Sequence, residues 1–205
     1  MWHAVGHEIM SPLQSLMVLH GAPEDPAHRY VHRMQQAVRV LYGTAPPSEA
    51  LEAATLQLSA IDLDEFLHHV AANAHFAGIE NVRYERAAHP VQARADEYSL
   101  EDVVTHVLRN ADRYRVPGTP ITIALAASET TASVTIHNHG PGIAPELIER
   151  IFEYGVSDPA SAGQGEHRGQ GLFAARTYMA KMGGTVAAGN VDDGVIFTLT
   201  LQRVA

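Results

Sequence analysis

The chain has no cysteine among its 205 residues, which excludes disulfides and thiolate metal centres and is compatible with a reducing cytosol. Lysine is almost missing too: Lys181 is the one lysine among fourteen basic residues, and the net charge is −9. An acidic chain this poor in cations disfavours nonspecific nucleic-acid binding and attachment to anionic membranes. No stretch approaches the ~18 uninterrupted apolar residues of a membrane span, and the N-terminus carries no signal-peptide pattern. The two commonest phosphate cradles are also missing, since neither Gly-x-x-x-x-Gly-Lys-Ser/Thr nor Gly-x-Gly-x-x-Gly occurs. Nor is there a cap or charged lead-in before the first helical pattern: Met1 runs straight into Trp2-His3-Ala4-Val5. A helix that starts upstream, in a longer protein, is the expectation.

What is present falls into two unequal units. Val5, Ile9, Leu13 and Leu16 recur every three or four residues and form one helical stripe, with His7 roughly opposite it. After the breaker Gly21 to Pro26, Tyr30, Met34, Ala37, Val38 and Leu41 repeat the pattern. Such a hairpin, over residues 1–45, buries too little surface alone, so a dimeric four-helix bundle is expected. Thr44-Ala45-Pro46-Pro47-Ser48 reads as a linker, which places the boundary near residue 46 and a second unit over 46–205.

In that unit helices and strands alternate. A strand is expected around Thr55 to Ile61, a helix from Asp62 to Ala77, and short strands at Val82 to Arg86 and Pro90 to Ala95. A helix over Ser99 to Tyr114 opens on a capping box of Ser99 and Asp102 and buries Leu100, Val103, Val104, Val107, Leu108 and Ala111. Ile121 to Ala126 and Ser133 to Asn138 form a hairpin turning at Ser128 to Thr131, and Thr185 to Ala188 with Val195 to Leu201 form another. The whole is a mixed α/β sandwich, with Ser157 to Gly169 as a long loop.

His106, Asn110 and Arg113 stand at i, i+4 and i+7 on the Ser99 helix, on one face away from the apolar stripe. An amide oxygen suits Mg²⁺ and a guanidinium suits phosphate, so this face could hold a metal–nucleotide complex, although a solvated helix surface is the simpler reading of this helix alone. Asn138-His139-Gly140-Pro141-Gly142 ends a strand, and Gly169-Gln170-Gly171-Leu172 opens a helix. Bare backbone at both places lets main-chain N–H groups approach an anion.

In order and spacing these motifs resemble the dimerization/phosphoacceptor and catalytic ATP-binding domains of a bacterial two-component sensor histidine kinase. His7-Glu8-Ile9-Met10-Ser11-Pro12-Leu13 is similar to the phosphoacceptor box and His106 to Tyr114 to the asparagine box. Asn138 to Gly142 is similar to the first glycine box, Ile151-Phe152-Glu153-Tyr154-Gly155 to the phenylalanine box, and Arg168 to Leu172 to the second glycine box. The resemblance implies an α+β protein, a helical hairpin that dimerizes as a four-helix bundle followed by a two-layer α/β sandwich of the Bergerat ATP-binding type. It further implies that His7 accepts the γ-phosphoryl group of ATP and passes it to an aspartate in the receiver domain of a response regulator, with Glu8 taking the proton. Asn110 would coordinate Mg²⁺, Arg113 would contact phosphate, Tyr114 would pack near adenine and Asn138 would face its amino group. Gly140, Gly142, Gly169, Gly171 and Leu172 would shape the phosphate cradle. Residues 153–170 would be the ATP lid, anchored by Phe152. The cytoplasmic part of a longer, membrane-anchored sensor is the implied location.

Three positions depart from the family pattern. Asn138 replaces the usual Asp of the first glycine box, keeping a hydrogen-bond acceptor but losing the charge. His106 stands where Asn is common, as either a ligand near the metal or a structural histidine. Ser11, one turn after His7, stands where relatives orient water for phosphatase action, so weak phosphatase activity is expected. These departures leave a second reading, a weakly ATP-binding scaffold module that signals by conformation. A serine kinase of the anti-sigma type would lack the hairpin of residues 1–45. The pairs His68-His69 and His137/His139 have no acidic or thiolate partner at ligand spacing in the sequence and are expected to be solvated or packing histidines.

Overall fold

The computed structural model describes residues 55–87, 89–156 and 170–204. It separates the chain into two units, Met1–Thr55 and Leu56–Ala205, of which the second is described below. The expected hairpin of residues 1–45, its dimeric bundle and the boundary at residue 46 lie outside the described residues, as do His7, Glu8, Ser11 and Gly169.

The unit opens with β1 (Ser59–Asp62), shorter than the strand expected from Thr55, followed by α1 (Leu63–Asn73). Asp62 caps α1, its carboxylate accepting from the N–H groups of Asp64 at 3.0 Å and Glu65 at 3.2 Å. A 3₁₀ turn, Ala74–Ala77, ends the helix at Gly78 with φ 77°, a left-handed stop. Then come β2 (Val82–Glu85) and β3 (Gln92–Ala95), the latter antiparallel to β1.

α2 (Glu97–Tyr114) buries the six apolar residues that its periodicity marks, each 0–1% exposed. Its start differs from expectation: the cap is Asp96, not Ser99. The Asp96 carboxylate accepts from Ser99 N–H at 2.9 Å and from Gln57 N–H at 2.8 Å. A charged acceptor serving two backbone donors outcompetes a hydroxyl cap and ties the helix start to a segment 39 residues away.

β4 (Ile121–Ala127) and β5 (Thr131–His139) form the expected hairpin, with Ser128 N–H donating to Thr131 carbonyl at 2.8 Å. α3 (Gly171–Lys181), β6 (Thr185–Val191) and β7 (Gly194–Gln202) complete the unit, and β6 runs three residues beyond the Ala188 expected. The main sheet has the order β2-β4-β5-β7-β6 and is antiparallel except for the β2–β4 pair. α1 lies on β2 and β4, α2 on β4 and β5, and α3 on β6 and on α2. Strand alternation explains the two layers. Ala132, Val134 and Ile136 of β5 and Val195, Phe197, Leu199 and Leu201 of β7 point into the core, and the residues between them do not. No helix among the described residues is long and apolar enough to cross a membrane.

Candidate functional site

The end of β5 meets the C-terminal end of α2, and the start of α3 meets the middle of the same helix at His106. At β5 the core-facing alternation Ala132, Val134, Ile136 reaches Asn138, which is 1% exposed. Its carboxamide nitrogen has no hydrogen-bond partner among the described residues. A buried donor left unpaired costs roughly 1–3 kcal/mol, which makes this amide the polar group of β5 with an unmet hydrogen bond.

Gly140 follows at close quarters. A Cβ there would stand 2.4 Å from the Tyr114 carbonyl oxygen and 3.4 Å from the Asn138 amide nitrogen. Val116 N–H donates to His139 carbonyl at 2.8 Å, joining the chain just after α2 to the end of β5. The first glycine box is thus pressed against the end of the asparagine-box helix, and only a glycine fits there. The second glycine box meets the same helix. A Cβ at Gly171 would lie 3.2 Å from His106 Nδ1, so the imidazole forms the wall beside the first residue of α3. Gln170, at the N-cap of α3, makes no side-chain cap bond, which leaves the helix start to its own N–H groups.

Burial depresses the His106 pKa. Asp102 acts against that shift and Arg109 adds to it. The shift favours the neutral ring, in which one nitrogen donates and the other accepts. Asn110 is half-buried, and Arg113 is exposed with its guanidinium carbon 5.5 Å from the Tyr114 ring centre. Phe152 is buried against Phe197 in an edge-to-face pair at 6.4 Å, and Leu172 is buried in the first turn of α3. Of the lid expected over 153–170, residues 153–156 and 170 are described.

Three contributors were not singled out from the sequence. Asn190 clamps the segment after the first glycine box: its Oδ1 accepts from Ile143 N–H and its Nδ2 donates to Ile143 carbonyl, both at 2.7 Å. Asp193 accepts through its carbonyl from Gly140 N–H at 3.2 Å. Gly194 admits the Asn138 backbone where any side chain would collide with it. The turn Asp192-Asp193-Gly194 was a readable hairpin signal, but its placement beside β5 comes from the β5–β7 pairing. The Asp193 carboxylate also corrects the reading of His137 and His139, because it lies 3.1 Å from His137 Nε2 and 2.9 Å from His139 Nδ1. An acidic partner absent at local spacing arrives from the β6–β7 turn, 56 residues from His137.

Residues 95–205 match the family of histidine kinase-, DNA gyrase B- and HSP90-like ATPases. The chain belongs to that family. The sensor protein ChvG of Agrobacterium fabrum is 28% identical over 96% of this chain and 38% of its own length. The chain thus spans about two fifths of that relative. Among solved structures, the mycobacterial sensor histidine kinase MprB has a TM-score of 0.62 at 22% identity, over 71% of this chain and 98% of that one. Full-length ShkA, in complex with AMPPNP, has a TM-score of 0.65 at 24% identity, over all of this chain and 46% of that one. The sequence resemblance is therefore supported: the second unit is of the GHKL ATP-binding type, and the relatives that the chain matches are sensor proteins and sensor histidine kinases.

Proposed function

We propose that the chain binds Mg²⁺-ATP in the second unit, phosphorylates its own His7 and hands the phosphoryl group to an aspartate of a response-regulator receiver domain. The observation that carries this reading is the buried, unpartnered carboxamide of Asn138 beside the glycine-lined approach at Gly140. An adenine edge presents a ring-nitrogen acceptor next to an amino donor, and a carboxamide can satisfy both. The loss of charge relative to aspartate is thereby offset by a second hydrogen bond.

The N–H groups at the start of α3 suit phosphate oxygens, Arg113 supplies an exposed cation, and the Asn110 carboxamide oxygen suits Mg²⁺. Bound there, Mg²⁺ would neutralise phosphate charge. In the transfer, a ring nitrogen of His7 bonds to the γ-phosphorus while the bond from that phosphorus to the β–γ bridging oxygen breaks, and ADP leaves. Glu8 accepts the proton from the other ring nitrogen. Positioning and charge support, more than covalent help from the protein, lower this barrier. Dimerization through residues 1–45, a lid over 153–170 anchored to the core by Phe152, and a place on the cytoplasmic side of a longer sensor complete the proposal. Family membership and the sensor-kinase relatives support it.

The test is incubation of the purified chain with γ-labelled ATP. Label is expected in the wild type and absent from His7→Ala. Asn138→Ala is expected to weaken binding of a nonhydrolysable ATP analogue by roughly thirtyfold, the value of two lost hydrogen bonds of about 1 kcal/mol each. Tight analogue binding without label on any histidine would overturn the kinase reading. Transfer to a receiver domain, followed by a slower loss of its label with Ser11→Ala than with wild type, is the expected sign of the phosphatase role.

A further inference from the structure

The last residues of β5 read His137-Asn138-His139, and strand alternation sends the two histidines to the face opposite the buried Asn138. The β6–β7 turn brings Asp193 over that same face. One Asp193 carboxylate oxygen lies 3.1 Å from His137 Nε2 and the other 2.9 Å from His139 Nδ1. The imidazoles stand edge to face with centres 4.8 Å apart, and the three ligand atoms lie within 4.8 Å of one another.

We propose that His137, His139 and Asp193 form a binding site for a divalent transition-metal ion of the zinc class. Two imidazole nitrogens and a carboxylate oxygen make a ligand set that suits Zn²⁺, Co²⁺, Ni²⁺ or Cu²⁺ and not Mg²⁺, which prefers oxygen. With bonds of about 2.0–2.1 Å, ligands on a tetrahedral ion stand about 3.3 Å from one another. Each imidazole nitrogen already stands near that distance from one of the two Asp193 carboxylate oxygens. Three ligands leave a position for water. The cross-strand neighbours of His137 are Thr122 and Ile196, neither of them cationic. Asp193 is half-exposed, which gives an ion open access from solvent.

The site is distinct from the proposed nucleotide pocket but wired to it. Asp193 holds Gly140 N–H through its carbonyl, and Gly194 abuts the Asn138 backbone. An ion on this triad would pin the β6–β7 turn to the end of β5, and with it the start of the first glycine box.

The experiment uses the full chain, stripped with chelator and titrated with Zn²⁺ in a calorimeter and with Co²⁺ in the visible spectrum. One saturable Zn²⁺ site and a tetrahedral Co²⁺ band are expected. H137Q, H139Q and D193N should each weaken Zn²⁺ by roughly tenfold or more and remove the band. The chain has 13 histidines, so the double variant H68Q/H69Q serves as the control and should retain both signals. Unchanged Zn²⁺ affinity in H137Q/H139Q, or no saturable Zn²⁺ binding in wild type, would overturn the proposal. Should a histidine variant fail to fold, D193N, altered in an exposed turn, decides alone. Because the readout is metal binding, failure here leaves autophosphorylation untouched, and loss of autophosphorylation leaves this result standing.

Discussion

Gly140 is required for its lack of a side chain rather than for backbone freedom. Its φ is not among the positive values that mark Gly78, Gly118, Gly155 and Gly183; the obstacle is the Tyr114 carbonyl, 2.4 Å from where a Cβ would stand. That oxygen belongs to the backbone at the end of α2 and cannot swing aside as a side chain would. Gly140→Ala should therefore lower stability by about 1–3 kcal/mol and weaken ATP-analogue binding in the same variant. Gly155→Ala, which meets open space, should be strained through its φ of 78° alone. Chemical denaturation of the two variants beside wild type separates the causes, and a Gly140→Ala midpoint equal to that of wild type would refute the packing account.

At the scale of elements, the first turn of α1 is held to the end of β2 by Asp64. Its carboxylate accepts from Tyr84 Oη at 2.8 Å, Arg86 Nε at 2.9 Å and Ala87 N–H at 3.1 Å. Arg86 first, and then Tyr84, hold the Asp64 pKa down at about 2, against the opposing effect of burial. Because the folded value lies below the unfolded one of 3.8, the stabilisation is complete above about pH 4 and is lost as pH falls through about 2. Solvent screening keeps it small. Asp64→Asn is expected to cost about 1 kcal/mol at pH 7, with the gap to wild type closing between roughly pH 4 and pH 2. Urea midpoints across that range check it, and a gap independent of pH would rule out the ionic origin.

For the whole molecule, the second unit has its own core, running from Ile61 to Leu201 through the three α-helices among the described residues and the five-stranded sheet. Residues 56–205 expressed alone should unfold in one cooperative step and bind ATP analogue as the full chain does. They should not label themselves, since the proposed acceptor His7 is absent. A broad, noncooperative melt would show that the core depends on residues 1–55.

Local chemistry determined most of the elements. The apolar face of α2, the β4–β5 turn at Ser128 to Thr131 and the glycine that opens α3 all follow from periodicity and backbone freedom, which act over a few residues. The motif residues that the structure describes were noticeable for the same reason, being short runs of special residues. Only tertiary structure could decide what meets them. Asp96 displaced Ser99 as a cap because Gln57, 39 residues away, adds a second donor to the same carboxylate. Asn190 became a clamp on Ile143, and Asp193 joined His137 and His139, because β7 pairs with β5 in one particular register. Sequence spacing carries no trace of such encounters, since sheet pairing joins residues by hydrogen-bond register across the chain and not by their separation along it.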